Sequence, residues 1–343
     1  MRKVTFVLPA NNVSGGARVT VEMANRLLKR GYDARIACRV TEDGMRDLLR
    51  RLWLTKIKAY KNRNWFGRFK GKIEEFQDLR AVDFSAGEVV IAVGIWTVRD
   101  VYDLDSRVIK VHYNHGFGVP EAEVTHSSWG LPMNIIAVAG TLVQRLEKVT
   151  GQKVIAVIPN GLDPGEYFVE RDIRRDGVGI MYSSHPNKAP GDIIRLMPIL
   201  EKEFPDIPHY IFSSHRRPRS LDTGAFVRYP SVEEARRIYN RSLIWLSTSI
   251  EEGFGLPILE AMACGCAVVS ADNLGARELI NDGGNGFIVP VGDLDAFQTV
   301  IRRLVSDHAL RESITREGLE TVTRFTWEDA VEKMDAFLKQ MQA

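Results

Sequence analysis

Leu243-Ile244-Trp245-Leu246-Ser247, then Glu251-Glu252-Gly253-Phe254-Gly255-Leu256-Pro257-Ile258-Leu259-Glu260-Ala261-Met262-Ala263-Cys264-Gly265, then Ala267-Val268-Val269-Ser270: these three runs decide the fold. The first and last are short apolar runs of strand type. Between them, Pro257 suits the first turn of a helix, where its missing N–H costs nothing. Gly265 suits the C-terminal cap, so a helix is predicted from about Pro257 to Cys264. Buried strands joined by a short helix belong to a parallel sheet with right-handed crossovers.

The same alternation continues outward in both directions. Val4 to Leu8 reads as a first strand, followed by a loop holding Ser14-Gly15-Gly16. Val19, Met23, Ala24, Leu27 and Leu28 then recur at helical spacing until Gly31, and Arg35 to Cys38 resumes as a strand. Further strands are expected at Glu88 to Trp96, Arg107 to His112, Asn134 to Val138 and Ile155 to Ile158. Pro159 to Gly165 is a dense turn signal, and the charged stretch Glu170 to Asp176 then reads as a solvated linker. Beyond it the alternation restarts at Val178 to Tyr182 and His209 to Ser213. The fold class is therefore α/β, with two Rossmann-like domains. The first covers 1–165 plus about 325–343, the second 170–324. Trp327, Val331, Met334 and Leu338 lie at helical spacing in the terminal segment.

Composition is that of an ordinary globular chain of 343 residues, 45% hydrophobic. Lys and Arg number 46 against 44 for Asp and Glu, which argues against nucleic acid as a partner of the whole surface. Cys38, Cys264 and Cys266 are odd in number and lack framework spacing, so they read as buried thiols in a reducing compartment. Arg2 and Lys3 precede only a short apolar run before Pro9, too short for a signal-peptide core. No run approaches the ~20 apolar residues of a membrane span, and a cytoplasmic location is expected.

Gly253 and Gly255 stand just before the predicted helix. They let backbone approach a ligand closely, and the helix start favours an anionic group. Glu252 in that loop and Glu260 in the helix can border one pocket and accept hydrogen bonds from sugar hydroxyls.

At these residues the sequence resembles the signature of the retaining glycosyltransferases of family four, which have the GT-B fold of two Rossmann-like domains facing across a cleft. Ser14-Gly15-Gly16, the run Ile158-Pro159-Asn160-Gly161-Leu162-Asp163, and Gly275-Ala276-Arg277-Glu278 with Asp282 and Asn285-Gly286 resemble further motifs of that family in order. The resemblance implies a nucleotide diphosphate-sugar donor, an acceptor glycan or lipid-linked sugar, no cofactor and no metal. It implies that Glu260 binds the ribose and Glu252 the transferred sugar. Gly253, Phe254, Gly255 and Leu256 would hold sugar and diphosphate through their backbone, with Gly15 and Gly16 contributing from the first domain. Lys188 matches the family's diphosphate lysine. The accompanying arginine is missing, since Tyr182 or Ser183 stands at its place, and His185 is a candidate substitute. In many relatives a His after the strand that corresponds to Arg107 to His112 lies near the donor sugar and acceptor. His112 is nearest to that place by register and His115 is the alternative; Asn160 is a further candidate.

Between Arg46 and Lys72 there are ten Lys or Arg and one acidic residue, interleaved with Trp53, Tyr60, Trp65, Phe66 and Phe69. Three readings stay open for this stretch. It can lie at an anionic inner membrane surface, guide an anionic acceptor, or form a basic helix and loop whose aromatics pack inward. Rival readings of the whole chain are a nucleotide-sugar epimerase or hydrolase of the same fold, and a non-catalytic nucleotide-sugar-binding protein.

Overall fold

Strand β1 (Lys3–Leu8) is buried from Val4 onward with no alternation, as expected of a parallel strand covered on both faces. It opens a sheet in a computed structural model that describes residues 2–10, 15–40, 65–117 and 127–342. The strands that follow are β2 (Asp33–Arg39), β3 (Ile73–Phe76), β4 (Val89–Val93), β5 (Ile109–Asn114), β6 (Asn134–Ala137) and β7 (Val154–Val157), interspersed with helices α1 (Gly15–Lys29), α2 (Val98–Tyr102) and α3 (Val143–Thr150). The sheet order is β3-β2-β1-β4-β5-β6-β7, and Phe6 pairs in parallel register with Ile36 on one side and Ile91 on the other.

A second sheet is built from β8 (Gly177–Tyr182), β9 (His209–Ser213), β10 (Ala225–Arg228), β11 (Ser242–Ser247), β12 (Ala267–Ala271) and β13 (Phe287–Val289). Its helices are α4 (Pro190–Glu203), α5 (Val232–Arg241), α6 (Leu256–Ala263), α7 (Leu274–Leu279), α8 (Leu294–Ser306) and α9 (His308–Val322). The order is β10-β9-β8-β11-β12-β13, all parallel. Beneath it Trp245 stacks on Phe212 and meets Tyr239 with ring centroids 4.3 Å apart.

The chain divides into two compact units, Met1–Gly161 with Trp327–Ala343, and Leu162–Thr326. At the seam Leu162 N–H donates to Phe325 C=O at 2.9 Å, so the outgoing and returning chain run side by side. The terminal helix α10 (Trp327–Met341) buries Trp327, Ala330, Val331, Met334, Phe337 and Leu338. It lies against the first unit: Arg26 stacks over the Trp327 ring at 4.7 Å, and Tyr32 donates to Asp335 at 2.6 Å. Burial and the Asp335 carboxylate push the Tyr32 hydroxyl up to about 12.

Two sequence readings need correction. Strands β3, β10 and β13 were not expected. The first two are four-residue edge strands with polar or exposed positions, and an edge strand carries little apolar signal. The charged stretch Glu170 to Asp176 leaves Arg171, Asp172 and Arg174 exposed, but Glu170 and Arg175 tie it to the second unit. Glu170 N–H donates to Asn240 Oδ1 at 2.8 Å, and Arg236 donates to the Glu170 carboxylate at 2.7 Å. The Arg175 guanidinium bonds Asn240 Oδ1 at 2.9 Å and the carbonyls of Ser242 and Cys264. A guanidinium with five donors can satisfy several carbonyls at helix and strand ends at once, which composition does not reveal. Among the described residues no helix is long and apolar enough to cross a membrane.

Candidate functional site

In the second sheet the strand order reverses between β8 and β11. Open parallel sheets bind ligands outside the carboxyl ends of their strands at such a switch point. Both segments singled out by sequence emerge there. After β8 the chain makes a tight turn at Pro186–Lys188; after β11 it enters the Thr248–Gly255 loop. The two are tied together, since Ile250 N–H donates to Asn187 C=O at 2.8 Å and the Thr248 hydroxyl to Lys188 C=O at 3.0 Å. The Lys188 ammonium forms a salt bridge with Glu252, and both line a small cleft with Met181, Ser247, Thr248 and Pro257. An ammonium has three N–H donors, so the pair can engage an anion through Lys188 while Glu252 accepts from hydroxyls.

The loop between Glu252 and α6 is shaped by two glycines. Gly255 has φ +88°, a left-handed conformation that only glycine adopts freely, and it caps α6. Gly275, in the first turn of α7, lies so close to the loop that a Cβ there would sit 2.7 Å from Glu252 Cβ and 2.9 Å from the Phe254 carbonyl carbon. Its N–H also donates to Glu252 C=O at 3.0 Å. Among the described residues the amides of Gly253, Phe254, Gly255 and Leu256 have no acceptor, the arrangement that favours an anion at a helix start.

Glu260 lies in α6, 6% exposed, and accepts a 2.8 Å hydrogen bond from the Tyr239 hydroxyl. Burial and this carboxylate together hold the Tyr239 hydroxyl well above its ordinary range. Cys264 and Cys266 are buried, and burial pushes both thiols up, which leaves them unreactive.

At the position of the missing arginine, Tyr182 and Ser183 are buried, and the Ser183 hydroxyl accepts from His185 N–H at 3.2 Å. The His185 side chain is exposed beside that turn. His215 was missed by sequence reasoning: its Nδ1 accepts from Ser184 N–H at 3.4 Å, at the carboxyl ends of β8 and β9. Its position two residues after a predicted strand was the available signal. Among the described residues no three His, Cys, Asp or Glu side chains cluster to hold a metal.

The remaining candidates belong to the first unit. Gly15 and Gly16 form the first turn of α1 rather than a loop, and Gly16 C=O accepts from the Thr20 hydroxyl at 2.8 Å; Ser14 lies outside the described residues. His112 is inside β5 rather than at its end, because the strand runs on to Asn114. It is 3% exposed, its ring lies 5.7 Å from that of Trp129, and burial pushes it down to about 4. His115 is the first residue after the strand. Its ring meets Tyr113 edge-on at 4.4 Å, and burial, with His112 secondary, pushes it down to about 3. Neither Nε2, nor Oδ1 of the buried Asn160, has a partner among the described residues. Of the basic stretch 46–72, residues 46–64 lie outside the described residues. In the remainder Trp65 and Phe66 are buried, with Arg18 and Arg68 stacked on Trp65 at 5.1 and 4.9 Å.

Residues 222–321, which span the loop after β11 and helices α5 to α9, match the family Glycosyl transferases group 1. Over this segment the chain is similar to the group 1 glycosyl transferases. Among curated relatives, a putative glycosyltransferase of Bacillus subtilis, EpsD, is 39% identical over 89 residues, covering 26% of this chain and 23% of the relative. The phosphatidyl-myo-inositol mannosyltransferase of Mycolicibacterium smegmatis is 26% identical over 185 residues, covering 50% and 48%. The matched segment thus spans less than half the length of each. Among solved structures, Anabaena HepE in complex with UDP and glucose superposes with a TM-score of 0.80 at 16% identity, covering 99% of this chain and 100% of that one. That likeness extends over both units and shows the GT-B fold.

Proposed function

We propose that this chain transfers a sugar from a nucleotide diphosphate-sugar to an acceptor hydroxyl of a glycan or lipid-linked sugar, with the anomeric configuration retained. The observation that carries the reading is the convergence of Lys188, Glu252 and the free amides of residues 253–256 at the β8/β11 switch point. Charge develops on the diphosphate as the glycosidic bond breaks, and a fixed ammonium with preorganised N–H donors is what stabilises it. In this reading Glu252 accepts from hydroxyls of the transferred sugar, and Glu260 from those of the ribose. In this reading the departing diphosphate takes the acceptor proton on the same face, so no separate base is required and no divalent metal supplies the charge.

His112 and His115, neutral at physiological pH, serve as hydrogen-bonding groups in the first unit rather than as cations. Gly15, Gly16, His185 and Asn160 remain proposed donor contacts. In this reading the protein acts in the cytoplasm, and the buried Trp65 and Phe66 favour inward packing over membrane contact at the described end of the basic stretch.

The test is a screen of UDP, GDP, dTDP and ADP and their glucose conjugates by thermal shift, followed by turnover with an acceptor. Nucleotide binding together with acceptor-dependent release of the nucleoside diphosphate supports transfer. Free sugar or an epimer appearing without acceptor would replace it with hydrolysis or epimerisation, and binding without turnover with a non-catalytic role.

A further inference from the structure

The turn that carries Lys188 lacks the arginine implied by the family resemblance, and buried Tyr182 and Ser183 stand at its place. One side of the turn is tied to the loop after β11. The other side rests on His215, just past the end of β9: Ser184 N–H donates to His215 Nδ1 at 3.4 Å. Further along, Lys188 N–H donates to His185 C=O at 3.0 Å, so His215 and Lys188 hold one and the same turn. His215 is fixed in its own loop. Its N–H donates to the Ser213 hydroxyl at 2.7 Å, and Ser213 C=O accepts from Tyr229 N–H at 2.7 Å, which ties the ends of β9 and β10 together. Among the described residues the non-glycine positions with left-handed φ are Ala189, at +45°, and Tyr229, at +51°. Both adjoin this group, and strain of that kind collects where a ligand surface is held in shape.

The Ser184 contact decides which imidazole nitrogen of His215 is free. A backbone N–H only donates, so Nδ1 accepts and the neutral ring carries its proton on Nε2. Nε2 has no partner among the described residues and, in contrast to Nε2 of His112 and His115, lies open to solvent. Burial, and then the charges of His185 and Arg228, push the half-buried His215 below its ordinary value. Those two are the charged or titratable groups that act on it, His185 from the turn after β8 and Arg228 from the end of β10; no carboxylate is among them. The ring is therefore neutral at physiological pH and presents one N–H outward in an electropositive corner.

A fixed, unpartnered N–H beside positive charge suits an oxyanion. We propose that His215, as a neutral imidazole, takes the place of the missing arginine and donates its Nε2–H to the diphosphate of the nucleotide-sugar. An arginine brings charge and directed N–H groups together; here Lys188 supplies the charge and His215 the directed N–H. The Ser184 contact sets the tautomer in advance, so no proton has to be taken up when the diphosphate arrives. His185, exposed at the start of the turn, has no hydrogen bond from its imidazole to fix its orientation among the described residues, and it is the alternative that the test separates. This deepens the glycosyl-transfer reading and rests on it.

Two variants separate a ligand role from a structural one. His215→Asn keeps an acceptor for Ser184 N–H and removes the N–H at Nε2, whereas His215→Gln puts an amide N–H near Nε2 and gives up the acceptor. Calorimetry uses whichever of UDP, GDP, dTDP and ADP binds best, with the matching nucleoside as control. Diphosphate affinity should fall about tenfold in His215→Asn and stay within about threefold in His215→Gln, with nucleoside affinity unchanged in both. The reverse order, or a loss in His185→Ala as large as that in His215→Asn, overturns the assignment. On the unaltered chain, NMR of nitrogen-15-labelled histidines at neutral pH, with His215 identified through His215→Gln, should show a ring protonated on Nε2 alone. Its Nε2 signal should shift on adding the same nucleoside diphosphate or inorganic pyrophosphate. A ring protonated on both nitrogens, or no shift with either anion, overturns the inference; where the nucleoside diphosphate still binds, the donor reading stands. A shift with pyrophosphate in a chain that binds no nucleoside diphosphate leaves His215 as an anion ligand and sinks the donor reading.

Discussion

Gly275→Ala is the sharpest test of how the 252–255 loop, the proposed donor loop, is held. A Cβ at residue 275 would meet Glu252 Cβ at 2.7 Å, the Phe254 carbonyl carbon at 2.9 Å and Gly255 N at 3.1 Å. Ordinary contacts begin near 3.4 Å, so either α7 or the loop must move by about 0.7 Å to relieve the worst of the three. None of the three atoms is the free end of a flexible side chain, so rotamer change cannot absorb the shift. Overpacking of this kind costs about 1–3 kcal/mol. The part that moves carries Glu252 and the amides of Phe254 and Gly255, and misplacement of positioned groups by about 1 Å can cost about a hundredfold in rate. Urea unfolding should therefore show a loss of about 1–3 kcal/mol, and calorimetry with the best nucleoside diphosphate a loss of tenfold or so in affinity. Gly130→Ala is the control, because a Cβ there meets nothing and the backbone is not left-handed. If Gly275→Ala matches the unaltered protein in stability and nucleotide affinity, the loop is not held by this contact and the account of its geometry is wrong.

Four further outcomes follow from the same site. Lys188→Ala removes the cation and leaves Glu252 without its partner, so nucleoside diphosphate affinity should fall by about 1.5–3 kcal/mol while nucleoside affinity changes little; equal losses for both would refute the diphosphate role. Glu260→Ala should weaken nucleotide binding by about 1–3 kcal/mol. The companion Tyr239→Phe, which strips the buried donor from Glu260, should lower stability by a similar amount; a Glu260 variant with full nucleotide affinity and an intact fold confines that residue to structure. Burial holds His112 near 4 and His115 near 3 in the folded chain, below the ordinary value of about 6.5, so the unfolded chain binds the extra protons first. Their contribution is complete above about pH 6.5 and is lost as pH falls towards 4 and 3, on the order of 3 kcal/mol for His112; urea midpoints measured from pH 7 to 4 should fall less steeply in His112→Phe, and parallel curves would contradict the assignment. Turnover should persist in excess EDTA, since Lys188 and backbone amides supply the charge stabilisation; loss restored by Mg²⁺ or Mn²⁺ would show otherwise.

The α/β class and most of the central strands were legible in the residue order alone, as was the glycine-rich segment before α6 that is proposed to meet the donor. These are local properties. Val4 to Leu8 and Leu243 to Ser247 are continuous apolar runs because both faces of a parallel strand are covered, and Gly255, Pro257 and Gly265 punctuate α6 through their own backbone limits. Residue order also pointed to Lys188, Glu252 and Glu260 through motif spacing, though not to their partners. Those partners follow from the packing of the folded chain. The Lys188–Glu252 bridge joins residues from two strand ends that become neighbours when β8 pairs with β11. Tyr239 reaches Glu260 from a different helix, and Gly275 is required by a loop more than twenty positions earlier in the chain. The charged stretch Glu170 to Asp176 looked solvated because composition does not show that Asn240 and the Cys264 carbonyl wait for its charges. The physical reason is common to all four. Periodicity and backbone conformation are written in adjacent residues, whereas burial, pairing and close approach depend on which strand ends the sheet order brings together.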